Sequence, residues 1–319
     1  MKKIYVLLLF INVLAVTGLC GEKGKLEAPK KRVIIPLSEL DVEKQKKEAF
    51  VLIDRAINSV LSSKGNPAIL EKFKQWLTTG IPERQKKNLL RDYFFAKIKK
   101  NQKKHIEFLV THVDPTLLKT MSKKSQMPLI TAIRSYALDV AQYLIDKTTD
   151  INQMDRRGRT PLIEAIKKLP TSVDYLLNRQ ADPNQADGAG ITPLIVAINS
   201  KNSALGDSLV SWGAKMDQPD SEGNLPLVVA IANKEPKIAL YLIKRGADLN
   251  KADANGITPL LAAINTQAFD LVKQLDLRGA IAHEQEIKAA RQLGDQEILK
   301  QLSISVPEKK KSKFLFWRK

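Results

Sequence analysis

The stretch Asp155-Arg156-Arg157-Gly158-Arg159-Thr160-Pro161-Leu162-Ile163-Glu164-Ala165-Ile166 recurs down the chain. It returns as Asp187-Gly188-Ala189-Gly190-Ile191-Thr192-Pro193-Leu194-Ile195-Val196-Ala197-Ile198. It returns again as Asp220-Ser221-Glu222-Gly223-Asn224-Leu225-Pro226-Leu227-Val228-Val229-Ala230-Ile231, and as Asp253-Ala254-Asn255-Gly256-Ile257-Thr258-Pro259-Leu260-Leu261-Ala262-Ala263-Ile264. Upstream, Met127-Pro128-Leu129-Ile130-Thr131-Ala132-Ile133 fits the same frame. The five prolines stand 33, 32, 33 and 33 residues apart, so one supersecondary unit is repeated.

Each residue type in the frame has a physical reason. Asp-x-x-Gly makes a tight turn, and the glycine supplies a positive φ at little steric cost. Thr160, Thr192 and Thr258 are placed to cap the first helix of their units. The proline after them fits the first helical position, where a missing N–H costs little. Leu162, Leu194, Leu227 and Leu260 then point inward, and Ala165, Ala197, Ala230 and Ala263 let neighbouring helices approach closely. A second helix follows in each unit, as at Tyr175-Leu176-Leu177 and Tyr241-Leu242-Ile243. Gly213, Gly246 and Gly279 are placed to stop it. One such unit cannot bury its own apolar face, whereas several stacked together do.

The frame resembles the ankyrin repeat, with its T-P-L-x-x-A core and closing G-A-D-x-N. The closing element is complete at Gly246-Ala247-Asp248-Leu249-Asn250. It is partial at Asp150-Ile151-Asn152, Ala181-Asp182-Pro183-Asn184 and Gly213-Ala214. The resemblance implies an all-α fold, an ankyrin-repeat α-solenoid, with five repeats over 122–285. Arg91–Ile98, His105–Val110 and Val113-Asp114-Pro115 resemble the parts of a degenerate N-terminal capping repeat over 88–121. Glu286–Leu302 reads as two short helices broken at Gly294, a truncated C-terminal cap over 286–304. Residues 36–87 form a helical N-terminal extension outside the repeat. In it Asp41–Ser63 is predicted helical, with Phe50, Ile53, Ile57, Val60 and Leu61 on one apolar face. Asn66 and Pro67 are predicted to open a second helix carrying Ile69, Leu70, Phe73 and Leu77.

The first twenty-one residues read as a secretory signal peptide: Lys2 and Lys3, then an apolar run from Ile4 to Val16 too short for a comfortable membrane span. The chain is therefore expected to be an exported bacterial protein of the periplasm or cell envelope, or secreted. Its single cysteine, Cys20, resembles the lipidated cysteine of bacterial lipoproteins, although Leu19 stands where that family has a small residue. Lipidation at Cys20 and ordinary cleavage near Gly18 to Gly21 both remain open. Residues 22–35 are a Lys-rich tether.

The net charge of +18 is unevenly spread: +2 over 1–21, +10 over 22–121, +1 over 122–285 and +5 over 286–319. The excess sits in the flanks, which says more about partners than the total does. Residues 305–319 are a basic tail, where Phe314, Leu315, Phe316 and Trp317 among lysines suit contact with an anionic membrane surface. One cysteine excludes an intramolecular disulfide, and His105, His112 and His283 are scattered. Gly188-Ala189-Gly190 is repeat turn rather than phosphate loop, and His283-Glu284 lacks the second histidine of a metalloprotease. No metal site, cofactor or catalytic set is expected, and the chain reads as a non-enzyme.

Ankyrin proteins bind through turn tips and first-helix surfaces, and the resemblance carries that role to this chain position by position. The residues implied are Lys123, Lys124 and Arg134 in the first unit and Arg156, Arg157, Arg159, Lys167 and Lys168 in the second. Ile191 and Asn199 follow in the third, Asn224 and Asn233 in the fourth, and Asn255, Ile257 and Asn265 in the fifth. The first two units are basic here and the last three nearly uncharged. The expected partner is a protein met on the concave face, acidic where it meets the basic end. The alternatives are a polyanion or nucleic-acid binder, which export and the lack of base-stacking aromatics in basic stretches disfavour, and a secreted effector acting by protein binding.

Overall fold

The computed structural model describes residues 40–62, 70–71, 74–75, 83–122, 127–148, 150–294 and 296–305. Among them every regular element is helical and none is a strand. They fall into two units, divided between Lys124 and Ser125.

The first unit opens with α1, Leu40–Ser62. Ala49, Leu52, Ile53, Ala56, Ile57 and Val60 are buried, the spacing of one helical face. Leu61 was expected on that face but is 38% exposed. It lies one residue, about 100° of helical turn, beyond Val60 and so passes out of the buried stripe. Helix α2 spans Glu83–Lys99, so the boundary expected between residues 87 and 88 falls inside a continuous helix. Extension and capping segment are one body, because α1 side chains meet those of α2. The Phe50 ring lies edge-on to Tyr93 at 5.2 Å. Helix α3, Lys103–Phe108, runs into a π turn at Leu109–Val113. Asp114 then caps a 3-10 turn, its carboxylate accepting the Thr116 N–H at 2.9 Å.

One carboxylate ties these helices together. Asp54 Oδ1 accepts the Tyr93 hydroxyl at 2.5 Å and the Lys97 ammonium, and His105 Nε2 lies 3.3 Å away. Burial and the Lys97 charge hold the His105 imidazole below its ordinary pKa, with Asp54 opposing them. Burial, reinforced by Asp54, drives the Tyr93 hydroxyl well above the usual phenol range. Of the expected helix opened by Asn66 and Pro67, Leu70, Glu71, Lys74 and Gln75 are helical, while Asn66, Pro67, Ile69, Phe73 and Leu77 lie outside the described residues.

The second unit is a run of helical hairpins. First helices are α4 Pro128–Arg134, α6 Pro161–Lys168, α8 Pro193–Asn199, α10 Pro226–Ala232 and α12 Pro259–Asn265. Second helices are α5 Leu138–Lys147, α7 Val173–Asn178, α9 Ser203–Ser211, α11 Pro236–Arg245 and α13 Phe269–Leu277. The hydroxyls of Thr160, Thr192 and Thr258 cap as anticipated, accepting the N–H of Ile163, Ile195 and Leu261 at 3.2, 3.4 and 3.1 Å. Successive first helices pack against one another along the array, with the second helices behind them. Ala165, Ala197, Ala230 and Ala263 are fully buried, so no side chain longer than a methyl fits there.

The closing loops are laced from one unit to the next. Asn152, Asn184 and Asn250 accept the backbone N–H of Asp182, Lys215 and Ile281 in the following unit, at 2.8, 2.7 and 2.7 Å. Where the third unit lacks that asparagine, Asp217 takes the role, accepting Asp248 N–H at 3.0 Å. These exposed loop N–H groups, which a lone hairpin would leave to water, are thus bonded by a neighbouring unit. The array closes with α14, Glu284–Leu293, and α15, Gln296–Ser305, broken at Gly294 with φ 70°. Glu286, fully buried, accepts the Thr258 hydroxyl at 2.7 Å and the His283 N–H at 2.9 Å.

Candidate partner-binding surface

The turn tips are built by aspartate. Asp155 Oδ1 accepts the backbone N–H of Arg157 and Arg159 at 2.9 and 3.1 Å, and its carbonyl accepts the Gly158 N–H at 2.9 Å. Asp187, Asp220 and Asp253 repeat this pattern, so each tip has the same shape whatever residues it displays. Neighbouring tips are joined through backbone. Gly188 N–H donates to Gly158 C=O at 2.6 Å, Ser221 N–H to Gly190 at 3.1 Å, and Ala254 N–H to Gly223 at 3.2 Å. At the first junction the chains come so close that a Cβ on Gly158 would sit 2.5 Å from Gly188 Cα. Gly188 occupies a display position of the repeat, yet it is there to let the tips touch.

The fifth position of each turn also serves the fold. The Arg159 guanidinium lies on the buried Asp155 carboxylate, at 2.9 and 2.5 Å. Asn224 donates to Asp220 at 3.0 Å. Ile191 and Ile257 are half-buried, their N–H groups bonded to Asp187 and Asp253 at 3.1 and 2.8 Å. Burial raises the Asp155 pKa, but the bonds from Arg159 and Arg157 outweigh it and hold the carboxyl below its ordinary value.

The first-helix ends present the remaining candidates. Arg134 reaches across to Glu164 of the next unit at 2.7 Å, and that carboxylate is almost wholly buried. Lys167 lies 3.6 Å from Asp187. Asn233 donates to Asn199 at 2.8 Å, linking two units on the same face, and Asn265 is exposed one unit further on. Asn255 is exposed at the last tip. Arg156, Arg157 and Lys168 are exposed and, among the described residues, form no ion pair. The expected basic cluster is therefore of two kinds: Arg134, Arg159 and Lys167 have acidic partners within the array, while Arg156, Arg157 and Lys168 face water. Lys123 and Lys124, Cys20 with the segment before it, and the basic tail lie outside the described residues.

Two features of this face escaped sequence reasoning. Glu164 is an acid buried within the first-helix row, legible only once Arg134 is seen opposite it. Tyr136 is exposed just beyond α4, in the turn to α5. Its signal was its register with Lys201, Lys234 and Gln267, one residue per unit, which matters only when the backbone there is known. Among the described residues no three His, Cys, Asp or Glu side chains group to hold a metal ion, and no helix is long and apolar enough to cross a membrane.

A family model described as ankyrin repeats (3 copies) matches residues 94–187, 167–253 and 194–286. Among solved structures, the ankyrin repeat domain of Bcl-3, described as a unique member of the IkappaB protein family, superposes with a TM-score of 0.59. It is 23% identical over 66% of this chain and 96% of that one. No curated protein matches.

Proposed function

This chain belongs to the ankyrin-repeat family, and on that premise we propose that it is a non-catalytic scaffold that grips an acidic protein partner at its basic N-terminal repeats. The observation that carries the proposal is the exposed trio Arg156, Arg157 and Lys168, held on rigid tips and helix ends and, among the described residues, in no ion pair. Fixed cations on a rigid frame raise association rate and select partners of opposite charge. The last units offer Asn199, Asn233, Asn255 and Asn265, suited to hydrogen bonds without net charge.

The decisive variant reverses Arg156, Arg157 and Lys168 to glutamate together. Arg134 and Arg159 are left untouched, because reversing either would set two carboxylates against one another at Glu164 or Asp155. The partner is recovered by crosslinking in the native cell, and its affinity is measured at low and high salt. A loss of at least about tenfold at low salt, shrinking as salt screens the charges, supports the proposal. Unchanged affinity shows the trio to be a solvated surface, and a steep salt dependence of DNA binding points instead to a polyanion.

Export of the array is part of the same proposal, supported by Lys2, Lys3 and the apolar run from Ile4 to Val16. Intact mass of the mature protein tests it and resolves the fate of Cys20: a diacylated cysteine adds a large mass, while cleavage past it leaves none. Equal pelleting with anionic liposomes of chains with and without residues 309–319 would remove the membrane role of the tail.

A further inference from the structure

The turn from first to second helix places one residue in the left-handed region. In the first, third, fourth and fifth units that residue is Tyr136, Lys201, Lys234 and Gln267, with φ of 57, 56, 57 and 56°. Four of the five units adopt this conformation, and an L side chain is disfavoured there because its Cβ crowds the neighbouring carbonyl. Lysine and glutamine at least extend a flexible polar chain into water. Tyr136 is 64% exposed, and among the described residues its ring stacks on nothing and its hydroxyl has no hydrogen bond. Tyrosine thus serves neither the backbone nor the interior of the array at this point, and its effect is confined to the surface.

That surface has a definite chemistry. Tyr136 follows Arg134 by two residues, and Arg134 is fixed on Glu164. Glu164 belongs to α6, whose exposed C-terminal end carries Lys167 and Lys168. The second unit also replaces the left-handed turn with Leu169 and a 3-10 turn at Pro170–Ser172, leaving Pro170 exposed. An exposed aromatic ring, a held arginine and two exposed lysines are therefore set on the ends of adjacent first helices.

We propose that Tyr136 is the apolar anchor of this end of the array, receiving an apolar or aromatic side chain of an acidic protein segment whose carboxylates meet Lys168. This rests on the proposal that the basic repeats meet an acidic partner, and it adds what that partner must carry between its charges. Tyrosine suits the role because it offers a large amphipathic contact with only two torsions to freeze. Aromatic and arginine side chains also dominate the energetics of interfaces.

The test uses the full chain and two fluorescein-labelled peptides of alternating glutamate and serine, one with a central phenylalanine and one with alanine there. Anisotropy is read at low ionic strength. The native chain is expected to prefer the phenylalanine peptide by about 2- to 10-fold. Tyr136→Asn loses that preference, keeps its affinity for the alanine peptide, and melts about 2–4 °C higher, because asparagine tolerates the left-handed turn. Reversal of Arg156, Arg157 and Lys168 weakens both peptides alike. Equal binding of the two peptides by the native chain, a preference that survives Tyr136→Asn, or a lower melting temperature of that variant overturns the anchor and leaves the acidic-partner proposal standing. Failure of both peptides to bind the native chain overturns both.

Discussion

Gly158→Ala adds one methyl group and should be among the most damaging single substitutions at the surface of the array. Gly158 has φ 71°, so alanine there meets the left-handed penalty of roughly 1–2 kcal/mol. The new Cβ would also stand 2.5 Å from Gly188 Cα and 2.9 Å from Gly188 N. Both are backbone atoms, which cannot rotate aside, so the two tips must separate, at an overpacking cost of roughly 1–3 kcal/mol. The 2.6 Å bond from Gly188 N–H to Gly158 C=O is lengthened with them, worth about 1 kcal/mol net. The whole comes to about 4 kcal/mol. Gly279→Ala is the control. Its φ is 90°, but nothing lies within 4 Å of the added methyl, so only the conformational part applies. Thermal unfolding by far-UV circular dichroism should show Gly279→Ala melting about 5 °C low and Gly158→Ala about 12 °C low. Equal shifts in the two variants would refute close tip-to-tip contact as the reason for Gly158.

Three further outcomes follow from the packing and the charges. Leu227→Ala removes a side chain only 2% exposed and should cost about 2–5 kcal/mol in urea unfolding, whereas an insignificant loss would contradict its place in the core. Asp155 is depressed in the folded state, so its contribution is full above its ordinary value near 3.8 and disappears as pH falls through the lower folded value. Asp155→Asn should therefore lose about 1–3 kcal/mol at neutral pH and much less in strong acid, a difference urea unfolding at several pH values would show. His105 is also depressed, held between Lys97 of α2 and Asp54 of α1. The first unit should thus weaken as pH falls from about 6.5 through the lower folded value, as the imidazole takes a proton beside a buried ammonium. Amide exchange in α1 to α3 should report this, and His105→Gln should flatten it; a pH-independent native chain would disprove the assignment.

The repeat, its period, its helical hairpins and its caps were legible from sequence because they are local. Asp155 bonds its own turn, Thr160 its own first helical turn, and Pro161 opens the helix it begins. A residue whose energetic role is fulfilled within four positions announces that role by its spacing. The candidate surface was legible only in outline. Register alone located Arg156, Arg157 and Lys168, but it treated Arg134, Arg159 and Lys167 as equivalent to them.

What separated Arg134 and Lys167 from the trio lies across the stack, whereas Arg159 is taken up by Asp155 four residues before it in its own turn. Glu164 stands opposite Arg134, and Asp187 of the next unit stands near Lys167, at sequence separations that the repeat frame gives no reason to inspect. The same holds for Gly188, whose missing side chain answers to Gly158 in the preceding tip, and for Asp54, which binds Tyr93 and Lys97 from another helix. Sequence by itself determined the unit and its copying, since backbone conformation and capping are decided by near neighbours. Tertiary structure decided which exposed charges are spent within the array, where two tips touch, and that Tyr136 is presented outward, because each depends on what the stacking of one unit on the next brings within a few ångströms.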